Sequence, residues 1–559
     1  MPELKKELSA LLAEAIRRSV PGAAPEVTFE IPREEKFGDL SSSVILRLAK
    51  ETRQAPRALA ERVAGEFGGL LGGSALAGRI GRVSVEGPGF LNFHYTGRQH
   101  GAVLERLRAE GALFGAGRPA AAKKILLEFV SANPTGPLTV AHGRQAALGD
   151  SLARILRFRG HDVTTEYYNN DEGVQINTLG ASLWLRVREQ LDGKPAQMPE
   201  NSYRGEYLVE IARGFIHGMG EARARILSES EGIERCRQHA RDVILQGIKK
   251  DLADFDVAFD GYYSQETLGK SGKVERTLED LKTRGVVYES EGAVWLRSTA
   301  FGDDKDRVLV KSDKNYTYLT PDIAYHHEKF GRGFDTIIDI LGPDHHGYIA
   351  RLKASQAALG HDPERVNVLI AQLVTLYEGD RQVRMSTRAG EFVTLRQVLD
   401  EVGRDAGRFF FLMRKFDAHL DFDLQLAKSQ TPDNPVFYIQ YAHARIESVK
   451  ATCRERYPES GANDPACLER LGNPAEVNVM RLLGQFEGAL EAAERTLEPY
   501  RVVAYLMELA GSFHRFYADN RVAGEDPALM RARLWLADGV QRVLRTGLDL
   551  LGVSAPEKM

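Results

Sequence analysis

Cysteine is scarce in this sequence. Cys236, Cys453 and Cys467 stand far apart in 559 residues, and no paired spacing suggests a disulfide framework or a zinc site. Three reduced thiols of a cytosolic protein are the expected state. A long apolar run is missing as well. The opening MPELKKELSALLAEAIRRSV alternates apolar and charged positions with helical period, and falls short of what a signal peptide or a membrane helix needs. Neither export nor a membrane is therefore expected, and the chain reads as cytoplasmic. Excess positive charge is also absent. With 74 Lys and Arg against 78 Asp and Glu, any polyanion has to meet a local patch rather than a basic body. There is no internal repeat at a fixed period and no low-complexity tract, which argues against a solenoid.

What is present is an ordinary globular composition, 43% hydrophobic and 27% charged, in a chain long enough for about three domains. Residues 1–118 alternate helical patterns with strand-like runs such as GRVSVEGPGFLNFHY and close on the linker-like GAGRPAAAKK. This predicts a small N-terminal α+β domain. From 119 to 403 the pattern is strand, glycine-bearing turn, helix, strand: KKILLEFV, then GRQAALGDSLARILRFRG, then DVTTEYY. That is a βαβ unit, and it predicts a Rossmann-type α/β domain. A helical insertion over about 175–255 interrupts it before FDTIIDILG and RVNVLIAQLVTLY resume the alternation. Beyond Gly403 no further strands are expected. Over 404–559 apolar positions recur three and four apart, as in FYIQYAHARIESVKATC and LWLADGVQRVLRTGLDLLGV, which predicts an α-helical bundle.

The joint between the first strand and helix of the βαβ unit, EFVSANPTGPLTVAHGR, carries two prolines, two glycines, an asparagine and a histidine. In such a unit the helix points its first N–H groups at the crevice above the strand ends, where the aligned peptide dipoles favour an anion such as phosphate. Ala141 and Gly143 are small enough for backbone to approach a ligand, and His142 opens the helix toward the same crevice. A helix cap with a solvated histidine is the alternative, and these residues alone leave both open.

The order SANPTGPLTVAHGR followed far downstream by VRMSTRAGEFVTLRQVLDEVG resembles the two signatures of class I aminoacyl-tRNA synthetases, and specifically the arginyl-tRNA synthetases of bacterial type. The likeness continues through KFGDLSSSVILRLAK, YYNNDEGVQI, NYTYLTPDIAYHH, ILGPDHHGY and NPVFYIQYAHARI, so it spans nearly the whole chain. It implies a reaction in two steps. The arginine carboxylate attacks the α-phosphate of ATP to give arginyl-adenylate, and the terminal ribose of the arginine tRNA then takes the acyl group. ATP is a substrate, Mg²⁺ accompanies it, and L-arginine and tRNA are the other partners, on a chain expected to be monomeric.

Two departures from the signatures stand out. Thr139–His142, TVAH, occupies the place where the family reads His-Ile-Gly-His. The Thr139 hydroxyl stands in for the first histidine, and a methyl at Ala141 replaces the bare backbone against which adenine packs. Arg384–Arg388, RMSTR, sits where the family reads Lys-Met-Ser-Lys-Arg. Thr387 thus replaces a lysine aimed at the leaving phosphates, and Arg384 and Arg388 are the cations that remain. By the resemblance Thr139, His142, Arg384, Ser386 and Arg388 serve catalysis. Ala141, His142, Gly143, Asp344, His345, His346 and Met385 contact ATP. Because the signatures are altered, a weakened paralogue that binds tRNA or arginine without efficient charging is the alternative function.

For the amino acid, a guanidinium wants a carboxylate that accepts two parallel hydrogen bonds. Asp322 is the choice, although a helix cap after Pro321 also suits it. The resemblance adds Tyr318 at the guanidinium and Ser131 and Asn133 at the other end of the substrate. No metal site is read in His345 and His346, since neighbours in a turn point apart and no third ligand stands at helical spacing. In the bundle Tyr438, Tyr441, His443, Arg445, Tyr517 and Arg521 mix aromatic faces with cations, as binding of unpaired tRNA bases requires.

Overall fold

The computed structural model describes residues 2–32, 34–383, 393–456, 465–524 and 526–559. In the N-terminal region, the strands Ile80–Glu86 and Phe90–Tyr95 pair antiparallel, and Leu40–Ser42 adds a third strand. Helices Pro2–Ser19, Val44–Thr52 and Pro56–Leu71 cover this sheet and close a separate core around Leu12, Ile45, Phe67 and Phe93. The next helix, Gly97–Glu110, turns its Leu104 and Leu107 into the larger core that the rest of the chain shares. The N-terminal core therefore ends before the linker-like stretch that the composition picks out.

Five parallel strands form the central sheet: β1 (Lys124–Glu128), β2 (Asp162–Asn169), β3 (Gly261–Ser264), β4 (Thr336–Leu341) and β5 (Val366–Ile370). Their spatial order is β5-β4-β1-β2-β3, so the winding reverses between β1 and β4. In an open parallel sheet the crevice at that reversal is where ligands bind. Helix α1 (Val140–Phe158) follows β1 and lies close against it. A Cβ at Gly149 would stand 2.2 Å from Cγ of Phe129, so only glycine allows this approach.

The expected insertion is the run of helices Val174–Asp192, Tyr207–Met219, Glu221–Ile226 and Glu229–Asp254, between β2 and β3. A small antiparallel sheet, Val287–Ser290, Ala293–Leu296 and Arg307–Val310, precedes α2 (Leu319–Gly331). Its four-residue strands are too short for their alternation to stand out in the sequence.

The helix α3 (Leu395–Leu412) is broken at Gly403, where φ is 78°. The expectation that strands end there is corrected, because Leu420–Asp423 pairs in parallel with Val374–Glu378. The inward Leu420 and Phe422, 3% and 0% exposed, fix that short register. The bundle then comprises α4 (Pro435–Arg456), α5 (Pro474–Thr496), α6 (Tyr500–Asp519) and α7 (Pro527–Leu550). Arg408, fully buried, ties it to the catalytic domain by donating to the carbonyls of Leu551 and Phe255 and to Asp150. All three cysteines are buried free thiols.

Candidate active site

A cleft of about 560 Å³ opens at the C-terminal ends of β1 and β4. It lies where the strand order reverses. The backbone leaving β1 is strained there: Val130 and Ser131 have φ of 69° and 40°, and a β-branched residue in that region costs about 1–3 kcal/mol. Side-chain bonds hold it in place. Ser131 Oγ donates to Glu128 Oε1 at 2.8 Å and accepts the Tyr168 N–H at 3.1 Å, while the Tyr167 hydroxyl donates to the Ala132 carbonyl at 2.7 Å.

Helix α1 starts at this cleft, and its first turn is closed by His142. The Thr139 N–H donates to His142 Nδ1 at 3.1 Å, with the Thr139 hydroxyl 3.0 Å from the same nitrogen. Burial pushes the His142 pKa down to about 4. The ring is thus neutral at pH 7, and with Nδ1 accepting, its proton is on Nε2. His142 is both the cap partner and a wall of the cleft.

Thr139 does not line the cleft, and its hydroxyl meets His142 rather than an incoming phosphate. A Cβ at Gly143 would lie 2.9 Å from Leu395 and 3.1 Å from Phe411, neither of which lines the cleft. Ala141 does not line it either. The start of α1 is also joined by backbone to the residues that follow the second signature, with Val140 N–H donating to the Val393 carbonyl at 3.2 Å and Leu395 N–H to the Leu138 carbonyl at 2.8 Å. Arg384, Met385, Ser386, Thr387 and Arg388 lie outside the described residues.

Four carboxylates, Glu128, Asp322, Asp339 and Asp344, line the cleft, and two of them share one buried cation. Lys329 of α2, 0% exposed, donates to Glu128 Oε2 at 2.5 Å and to Asp339 Oδ1 at 2.7 Å. Burial pushes Asp339 up, but the charges of Lys329 and His326 outweigh it and hold the carboxyl well below its usual range. His326 faces acceptors on both sides, Asp339 Oδ2 at 2.9 Å and the Asp322 carbonyl at 2.8 Å. Asp322, one turn earlier on α2, differs. It forms no ion pair among the described residues, and its Oδ2 accepts the Tyr348 hydroxyl at 2.6 Å. Burial raises its pKa, against the Tyr348 bond and the charges of His326 and His345. A half-buried carboxylate without a cation suits a positively charged guest.

Ser131, Asn133, His142, Tyr318, Asp322, Asp344 and His345 all border this cleft. Asn133 Nδ2 donates to Gln175 Oε1 at 2.6 Å, which leaves its oxygen as an acceptor. Tyr318 is 82% exposed at the rim, and the tyrosine bonded to Asp322 is Tyr348. His346 keeps its backbone place in the turn Pro343–Tyr348. Sequence reasoning missed Glu128, Tyr168, Lys329, Asp339 and Tyr348. Glu128 and Asp339 each put an acid inside an otherwise apolar strand, and such residues are seldom buried unless paired.

On the bundle, Tyr441, Arg445, Tyr517 and Arg521 line one groove of about 770 Å³, together with Lys558 and Met559. The Arg445 guanidinium lies 4.4 Å from the ring centre of Tyr441 and 5.2 Å from that of Tyr517. Two residues stand apart from it. Tyr438 packs on His514, ring centres 4.4 Å apart, and His443 is fully buried with Nδ1 2.8 Å from the Pro556 carbonyl.

Three known domain families match the chain. Residues 3–95 match the arginyl tRNA synthetase N terminal domain, 107–411 the catalytic domain of tRNA synthetases class I (R), and 439–559 the DALR anticodon binding domain. The arginine–tRNA ligase of Syntrophotalea carbinolica is 46% identical over 568 residues, 100% of both chains. That of Nitratidesulfovibrio vulgaris (strain DP4) is 46% identical over 99% of this chain and 100% of its own. In fold, the arginyl-tRNA synthetase of Thermus thermophilus superposes with a TM-score of 0.75 over 100% of both chains, at 24% identity.

Proposed function

The chain belongs to the arginyl-tRNA synthetases and is an arginine–tRNA ligase, and from this we propose that the cleft between β1 and β4 holds arginine and ATP for adenylate formation. Asp322 receives the guanidinium. The observation that carries this is its carboxylate, half-buried, oriented by Tyr348 and in no ion pair among the described residues. Asn133 offers its oxygen to the α-amino group, and Ser131 acts by fixing Glu128 and the strained backbone beside it.

The arginine carboxylate then attacks the α-phosphorus, and pyrophosphate leaves on the opposite side. Little covalent help from protein is needed, but the phosphates must be positioned and the growing charge met by donors. His142 Nε2–H and the start of α1 supply these from one side. The residues after the second signature are anchored against the same helix start, which supports a role for Arg384, Ser386 and Arg388 at the phosphates. Asp344 and His345 border the cleft after β4, where ribose and base would lie. Mg²⁺ enters with the nucleotide. Among the described residues no group of three His, Cys, Asp or Glu side chains gathers to hold it alone.

In the second step the terminal ribose hydroxyl of the tRNA attacks the activated carbonyl and AMP leaves. The groove around Arg445 takes unpaired bases of the anticodon by stacking on Tyr441 and Tyr517. A monomeric, cytoplasmic enzyme is part of the same reading; among the described residues no helix is long and apolar enough to cross a membrane. The test is ATP–pyrophosphate exchange and tRNA charging with each of the twenty amino acids. Exchange and charging with arginine alone are expected, and exchange without charging would mark a non-charging paralogue.

A further inference from the structure

Tyr168, near the end of β2, is 9% exposed and lines the cleft. Its hydroxyl is sealed from solvent and has no hydrogen-bond partner among the described residues. Buried polar groups are nearly always satisfied, so each exception calls for a reason. The rest of the side chain is firmly held. Its ring stacks on Tyr263, centres 6.2 Å apart with planes 14° from parallel, and meets Tyr325 at 4.5 Å. Its backbone N–H donates to Ser131. Burial raises the phenol pKa, and the charges of Asp322 and Glu128 raise it further. The hydroxyl is therefore a neutral group in the field of two cleft carboxylates without being bonded to either.

We propose that the Tyr168 hydroxyl is a further binding group for the guanidinium of arginine, accepting one of its N–H donors beside Asp322. A guanidinium carries five N–H donors in a rigid fork, and Asp322 already spends part of Oδ2 on Tyr348. A second acceptor, on a strand rather than on Asp322's helix, gives the remaining donors a place and fixes the plane of the fork. The phenol oxygen does this with a lone pair and keeps its own proton. It adds no charge, so Asp322 stays the one anion matched to the one cation. Lysine, with a compact ammonium in place of the planar fork, would not reach both acceptors in the same way.

The proposal rests on arginine lying in this cleft against Asp322, and the experiment separates the two. Tyr168→Phe removes one oxygen and keeps the ring stack. ATP–pyrophosphate exchange is measured with arginine tRNA present, and agmatine, which has the guanidinium but no carboxylate, is titrated as an inhibitor. Tyr168→Phe is expected to raise the arginine KM and the agmatine inhibition constant by the same factor, roughly 10- to 100-fold for a bond to a charged group. The ATP KM, read on the same preparation, should not move. An unchanged arginine KM overturns the proposal, and so does an arginine KM that rises while the agmatine constant stays, because the hydroxyl would then serve the other end of the substrate. Asp322→Asn in the same assay tests the cleft itself: if it also leaves the arginine KM unchanged, arginine binds elsewhere.

Discussion

In the proposed reading the cleft beside β1 and the groove on the bundle both face charged partners, yet they are built in opposite ways. The cleft is assembled from buried charge. Lys329 is fully enclosed between Glu128 and Asp339, and the backbone around Val130 is strained and bonded into place. The groove is assembled from exposed faces. Tyr441 is 36% exposed, Arg445 lies over two rings, and Arg521 is in no ion pair among the described residues. A small cation is selected by one uncompensated charge in a low dielectric, where geometry must be set in advance. Unpaired bases are held by several replaceable contacts in water. Single substitutions should therefore cost much in the cleft and little in the groove.

The largest effect is expected at Lys329. Lys329→Met strands two buried carboxylates and should destabilise the catalytic domain by about 3–5 kcal/mol, seen as a lower thermal midpoint together with lost arginine binding. A stable, active variant would mean the network is dispensable. Asp322→Asn comes next, at about 2–5 kcal/mol in arginine binding with the ATP KM nearly fixed. Since burial raises the Asp322 pKa, the wild-type arginine KM should climb as pH falls, beginning above the usual carboxylate range. That climb should be missing in the asparagine variant.

His142→Ala should lower the adenylation rate in single turnover by roughly 10²–10³, and loss of the cap should remove about 1 kcal/mol of stability. The sign of the pH effect follows from the pKa of about 4 in the folded chain against 6.5 for an ordinary histidine. The unfolded chain takes up the proton first, so wild-type stability is lost as pH falls from 6.5 to about 4. The alanine variant should lack that part of the slope. In the groove, Tyr517→Ala should weaken tRNA binding by about 1–3 kcal/mol. Arg521→Ala should have the smallest effect, a modest loss at moderate salt with the salt slope reduced by about 1. If either groove variant abolished charging as Asp322→Asn is expected to, the contrast between the regions would fail.

Local pattern made much of this legible. The βαβ unit, the helical insertion and the bundle each follow from the period of their apolar residues, and the insertion appears where the helical run predicts it. The short strand Leu420–Asp423 was not legible, because four residues carry too little alternation. Seven of the expected substrate-site residues do gather at one cleft, since they sit at strand ends and helix starts that the topology forces together. The sequence does not show that a Cβ at Gly143 would press on Leu395 and Phe411, or that His443 is fully buried.

The sequence by itself determined the family, the order of the domains and the helix that begins at the cleft, because each of these is written in neighbouring residues. It also contained four acids that end up around the cleft. Which of them are enclosed, and which of the enclosed ones lacks a cation, was decided only by the tertiary structure. Lys329 stands 201 residues from Glu128 in the chain yet donates to it at 2.5 Å, and to Asp339 at 2.7 Å. Charge compensation depends on distance and burial, and neither can be read from position along a chain.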